Sequence, residues 1–208
     1  MSDPLGSVLV PPRAPRRGNR LSRWIGRTLL RLGGWRVEGA FPDVDRLLII
    51  VAPHSSAWDA FWGLAAKLAL GLDLRFMAKA ELFSGLQGLF TGPLLRRFGA
   101  IPTDRHAARG AVGSSVAAFA AHPRLWLLLA PEGTRKPVER WRTGFWHIAR
   151  QAGVPVLCGF FHYPERRIGL GQVFWPSDDM EADMARLRAY YRPFIGRHRG
   201  TVPERSRG

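Results

Sequence analysis

The sequence predicts a single α/β domain, a twisted and mostly parallel sheet covered by helices. Three observations predict it. Strand-length apolar runs alternate with helical patterns along most of the 208 residues. Two of the runs, RLLIIVA at 46–52 and RLWLLLA at 124–130, are apolar almost without interruption, as strands buried on both faces are. These two runs end in turns that carry charged residues, PHSSAWD and PEGTR. In open α/β sheets the chemistry collects at the carboxyl ends of the strands, so both motifs fall where an active site belongs.

Each element follows in order. Residues 1–18 are rich in Pro, Gly and Arg and read as a disordered basic tail. Residues 19–33 read as an amphipathic helix for a membrane surface. Leu21, Trp24, Ile25, Leu29 and Leu32 share one stripe, and Arg20, Arg23, Arg27 and Arg31 another. Such a helix can bed into a lipid interface; the same pattern also serves a helix packed on its own core with Arg in water. Residues 34–198 form the domain proper.

Within that domain, the strand at 46–52 is followed by a helix at 57–70 bearing Trp58, Phe61, Trp62, Leu64, Ala65 and Leu68. A strand at 74–78 leads to two short helices on either side of Gly85 and Gly92-Pro93, then to a strand at 100–102. An Ala-rich helix at 107–121 precedes the second buried strand, 124–130. A helix at 144–153, strands at 154–161 and 168–175, and a closing helix at 178–195 complete the domain. The last helix has Asp and Glu in its first turn and Arg in its last, as the helix dipole favours. Residues 199–208 read as a second disordered tail.

Composition bounds the partners. Hydrophobic residues make up 46% and charged residues 23%, ordinary for a globular chain, but the formal net charge is +15 and nearly all of it is Arg. That excess calls for an anionic partner: a membrane, an acidic carrier protein or nucleic acid. Cys158 stands alone, which excludes an intrachain disulfide and a Cys-based zinc site. The N-terminus does not read as a signal peptide, so the cytoplasm is the expected compartment. No apolar run reaches the roughly 18–20 residues of a spanning helix; the best stretch, 60–74, is interrupted by Lys67 and Asp73. A protein of this kind meets a membrane peripherally.

The chemistry-bearing residues sit in four places. In PHSSAWD, His54 occupies the turn after a strand, Ser55 or Ser56 can cap the next helix, and Asp59 in its first turn can reach back to the imidazole. A carboxylate on one ring nitrogen fixes the tautomer and frees the other nitrogen to accept a proton, the need of a general base. In PEGTR, Gly133 permits a tight turn and Arg135 can grip a phosphate or carboxylate with its planar fork. Glu132 can orient that Arg or accept from a hydroxyl. FGAIPTDR delivers Arg105 after a further strand, and MAKAE delivers Lys79 after the one before. Three cations and one His–Asp pair thus describe a site for a phosphorylated alcohol. His147 reads as packed on an apolar helix beside Phe145 and Trp146, His106 and His162 lack a matched partner, Cys158 reads as core, and Ser114 and Ser115 lack the turn of a serine hydrolase.

These residues carry a resemblance. PHSSAWD, FGAIPTDR, APEGTRKP and AGVPVLCGF, in that order, resemble the four blocks of the 1-acylglycerol-3-phosphate (lysophospholipid) acyltransferase family. The resemblance covers residues 47–175, most of the domain. RFMAKAELF, ERWRTGFWHIA and EADMA resemble a compact bacterial branch of glycerol acyltransferases. The resemblance implies His54 as base, Asp59 as its orienting partner, and Arg105 with Glu132, Gly133, Thr134 and Arg135 as the acceptor-phosphate site. It implies direct transfer from acyl-carrier protein or acyl-coenzyme A, as co-substrate, to a lysophospholipid, with no other cofactor and no metal. It places the protein on the cytoplasmic face of the membrane, in phospholipid biosynthesis. The chain is shorter than many members, and a long N-terminal membrane helix pair is not expected.

Two other classes fit parts of the sequence. A basic nucleic-acid- or membrane-binding protein without catalysis accounts for the charge, but no nucleic-acid recognition motif appears and no specific nucleic acid is expected. A phosphate-ester hydrolase would reuse the His and the cations, but it lacks a metal-ligand cluster and an activated nucleophile.

Overall fold

The computed structural model describes residues 3–6, 8–103, 110–198 and 200, with the side chains of Lys79, Leu86, Gln87 and Thr103 excepted. Thirteen elements follow one another: α1 (Arg20–Gly33), β1 (Arg36–Gly39), β2 (Arg46–Ala52), α2 (Ala57–Leu70), β3 (Leu74–Lys79), α3 (Gly85–Arg97), β4 (Ala100–Thr103), α4 (Gly110–Ala121), β5 (Leu125–Leu129), α5 (Gly144–Ala152), β6 (Val156–His162), β7 (Arg167–Phe174) and α6 (Met180–Tyr191). A 3-10 turn, Ala80–Phe83, precedes α3. The seven strands form one sheet in the order β1-β7-β6-β2-β5-β3-β4. From β6 to β4 the strands are parallel; β7 runs antiparallel to β6, and β1 lies parallel to β7. The domain is therefore the α/β layer structure the alternation predicts.

The apolar run of β2 shows why the sheet is covered on both sides. Successive side chains of a strand point to opposite faces. Leu47 and Ile49 join Trp126 and Leu157 under Leu30 of α1 and Ala65, Ala66 and Ala69 of α2. Leu48, Ile50 and Ala52 join Leu127, Val156 and Cys158 under Phe119 of α4, Phe145 and Ile148 of α5, and Leu187 and Tyr191 of α6. A strand buried this way has no polar face to show in its sequence.

Four departures from the sequence expectations have physical causes. Residues of the expected disordered tail pack instead: Leu5 and Ala14 are buried, Val37 N donates to Pro4 O at 2.7 Å, and Asp73 N donates to Pro15 O at 2.8 Å. The apolar side chains of this segment bury against the α1–α2 side, a gain that the count of Pro, Gly and Arg conceals. A short edge strand, β1, has no counterpart among the expected elements. The two expected short helices are a 3-10 turn and one helix, α3, that continues through Pro93. The glycines there serve packing: a Cβ on Gly88 would lie 2.4 Å from the Phe83 carbonyl carbon. Finally, α6 stops at Tyr191, not 195, because Pro193 has no N–H for the helix ladder. The last tail, residues 201–208, lies outside the described residues.

The α1 helix packs differently from its apolar stripe. Its buried residues are Gly26 and Leu30, and a Cβ on Gly26 would sit 2.3 Å from the Ala69 backbone nitrogen. Gly33 lies against Trp62 and Arg23 against Gly71, so α1 and α2 run antiparallel in close contact. Leu21, Trp24 and Leu32 are 62%, 63% and 81% exposed, on the side of the helix away from that contact.

Candidate active site

His54 stands just past the carboxyl end of β2, before the start of α2. The turn is built by a capping box. Ser56 caps the helix by accepting from Trp58 N at 3.2 Å, and the Asp59 carboxylate takes the backbone N–H groups of Ser55 and Ser56 at 2.8 and 2.9 Å. The same Asp59 oxygen lies 3.1 Å from His54 Nδ1. The other Asp59 oxygen accepts from the Tyr163 hydroxyl at 2.6 Å. Asp59 is 2% exposed. Burial alone would raise its pKa, but the bonds from His54, Tyr163 and Ser56 hold it below the ordinary carboxylate value. Asp59 is therefore an anion that accepts from Nδ1–H, and this leaves Nε2 as the free basic nitrogen of a partly exposed ring.

The neighbouring strand supplies the second wall. β2 pairs with β5 over five residues, so the turn after β5 lies beside His54. The buried Glu132 accepts from the His54 backbone N–H at 2.8 Å, a role sequence reasoning did not assign to it. Gly133 has φ +67°, and a Cβ there would meet the Arg142 side chain at 2.6 Å. Glycine thus serves both the turn and a close approach. Thr134 Oγ1 accepts from Lys136 N, and Arg135 is exposed. Arg142 N donates to Pro131 O at 2.9 Å, and its side chain lies over the turn. Nothing in the spacing singled out Arg142; only the folded loop brings it back.

Lys79 closes β3, which pairs with β5, so its backbone lies at the same end of the sheet as His54 and Glu132. Arg105 lies outside the described residues. The remaining candidates are accounted for locally. Ser114 and Ser115 hydroxyls donate to carbonyls one turn back. Cys158 is buried, and burial pushes its thiol up to about 12. His147 lies edge-on to Trp146, and His162 Nδ1 accepts from Ile195 N at 3.1 Å. His106 lies outside the described residues.

Two contributors escaped the sequence. Tyr163, just beyond β6, is one. Burial and its contact with Asp59 raise its pKa, which keeps the hydroxyl a donor. The other is the chain after α6. Ile195 O accepts from Tyr163 N at 2.9 Å, and His198 N donates to Ser55 Oγ at 3.3 Å. This return brings Arg197 over the Trp58 ring, 5.2 Å from its centroid.

A His–Asp dyad at the end of a parallel strand, with both adjacent serine hydroxyls already engaged as acceptors, defines a class: an α/β protein whose site can take a proton from a hydroxyl brought to it. The family comparison bears on the chain as a whole. The acyltransferase family model matches residues 36–159, and the chain belongs to that family; it is an acyltransferase. Among solved structures, the fold is similar to the crystal structure of the 1-acyl-sn-glycerophosphate (LPA) acyltransferase PlsC from Thermotoga maritima. That likeness has a TM-score of 0.55 and 20% identity, covering 82% of this chain and 73% of that one. No curated protein matches the chain by sequence.

Proposed function

We propose that the protein moves a fatty acyl group from the thioester of acyl-carrier protein or coenzyme A to the hydroxyl of a lysophospholipid such as 1-acylglycerol-3-phosphate. The observation that carries this reading is the His54 Nδ1–Asp59 contact of 3.1 Å, with the His54 backbone N–H held by Glu132 and, among the described residues, no hydrogen-bond partner on Nε2. His54 Nε2 takes the proton of the acceptor hydroxyl as its oxygen attacks the thioester carbonyl. The tetrahedral intermediate collapses with cleavage of the C–S bond, and the imidazolium returns the proton to the departing sulfur. Asp59 remains a carboxylate throughout and stabilises the imidazolium. Lys79, Arg105 and Arg135 are the cations assigned to the acceptor phosphate. The Thermotoga maritima protein of similar fold, an acyltransferase of 1-acyl-sn-glycerophosphate, supports that acceptor. The test is transfer of labelled acyl groups to a panel of lysolipids by wild type and His54→Ala. Loss of about 10²–10⁴-fold in kcat is expected of a lost general base, and near-normal turnover would exclude the role.

The same protein works, in this reading, at the cytoplasmic face of the membrane as a peripheral protein. Among the described residues no helix is long and apolar enough to cross a bilayer. The exposed Leu21, Trp24 and Leu32 of α1 lie beside Arg20, Arg27 and Arg31, also exposed, which suits an anionic lipid interface. The antiparallel α1–α2 pair carries this stripe toward the exposed Trp58 and Phe61, one to two turns from His54.

A further inference from the structure

Taking His54 as the base, the two strands beside β2 divide its surroundings. On the β5 side stand the Glu132–Arg135 turn and, further along the sheet, Lys79. On the β6 side stand Tyr163 and the segment 193–198 that returns after α6. That segment is held by its backbone. Ile195 N donates to the His162 ring, Ile195 O accepts from Tyr163 N, His198 N donates to Ser55 Oγ, and Gly196 is buried. The Arg197 side chain is therefore not what fixes the segment.

Arg197 is exposed, and its guanidinium carbon lies 5.2 Å from the centroid of Trp58, four positions after His54. Its charge reaches the Tyr163 hydroxyl that donates to Asp59. Some other arginines are ion-paired, as Arg167 is with Glu38 and Glu165 and Arg186 with Asp183. Arg197 makes its ring contact and, among the described residues, no ion pair. A guanidinium over an indole keeps in-plane N–H donors for a second partner, and their fork matches a phosphate in two places.

We propose that Arg197 forms a second anion subsite, on the β6 side of His54, that holds a phosphate ester of one of the two substrates. The headgroup of the lysolipid acceptor and the phosphopantetheine arm of the thioester donor both present that chemistry. The subsite rests on the reading of His54 as the base, and it lies on the opposite side of β2 from the Glu132–Arg135 turn.

Steady-state kinetics on the full-length protein test it, with Arg197→Ala, Arg197→Lys and, as a control, Arg192→Ala at the exposed end of α6 compared with wild type. The acceptors are 1-acylglycerol-3-phosphate and an uncharged monoacylglycerol, with acyl-coenzyme A as donor. A lost charge-assisted contact corresponds to a rise of about 10–100-fold in one KM, with kcat little changed in Arg197→Ala and part of the loss recovered in Arg197→Lys. A rise for the lysophosphatidate that is absent with the monoacylglycerol assigns the subsite to the headgroup. A rise for acyl-coenzyme A with either acceptor assigns it to the donor. Both KM values within twofold of wild type overturn the subsite, as does an equal effect in Arg192→Ala. His54→Ala measured alongside separates the two ideas, because its continued activity would remove the base without reference to Arg197.

Discussion

Four donors converge on the Asp59 carboxylate: His54 Nδ1, the Ser55 and Ser56 amides, and the Tyr163 hydroxyl. The two amides tie the anion to the helix cap, so His54 is positioned by the same bonds that start α2. Asp59→Asn should keep the fold and lower kcat about 10²–10⁴-fold, because an amide cannot hold the imidazole as an anion does. Tyr163 acts one step further out. Its bond withdraws charge from the carboxylate that faces His54, so Tyr163→Phe should favour the imidazolium. The acid limb of the kcat/KM profile then moves to higher pH, and an unmoved limb would remove Tyr163 from the dyad's electrostatics. The sign for stability is separate. Asp59 is held below its free value of 3.8, so its contribution is present above that pH and lost as pH falls through the lower folded value.

Lys67 joins three elements. At 8% exposure, its ammonium donates to Leu74 O at 2.7 Å and to Phe98 O, linking the end of α2 to the starts of β3 and β4. Burial lowers its pKa to about 8 from 10.5. Between those values the unfolded chain binds more protons than the folded one, so stability rises with pH there. Urea melts from pH 7 to 10 should show that rise in wild type and lose it in Lys67→Met. The α1–α2 contact is set by a missing side chain. Gly26→Leu would drive atoms into the Ala69 backbone, and overpacking of this kind costs about 1–3 kcal/mol. A melt within a few tenths of a kcal/mol of wild type would show that α1 can move off α2.

At the scale of the molecule, charge and shape act together. The net charge of +15 favours anionic surfaces at long range, and salt weakens that attraction. In the proposed membrane role, the exposed stripe of α1 would supply contacts that salt does not weaken. Trp24→Ser with Leu32→Ser should therefore lower binding to phosphatidylglycerol-containing vesicles most at high salt, where wild type still holds. Co-sedimentation at two salt concentrations measures both parts. Equal loss at both concentrations would place the apolar stripe outside the lipid contact.

Much of the sheet was legible because its central strands are buried on both faces, and a continuous apolar run has few other homes. The bounds of β2 and α2 agree with the sequence expectation for the same reason: the strand ends at Ala52, before Pro53, and the helix begins at Ala57, after its cap Ser56. The His54–Asp59 contact was legible as well, because a cap and its helix are local. Glu132, Tyr163, Arg142 and Arg197 were not assigned their places. Each acts on a residue distant in the chain or across a loop, and no spacing records that β5 and β6 flank β2. The packed N-terminal segment escaped for the complementary reason, since its composition describes a free chain while its few apolar side chains find a surface only after folding. The sequence by itself determined the layered α/β class, the acyltransferase motifs and the His–Asp pair, all of which are local in the chain. Only the tertiary structure decided which side chains surround that pair, because strand order and the return of the chain after α6 are set by long-range packing.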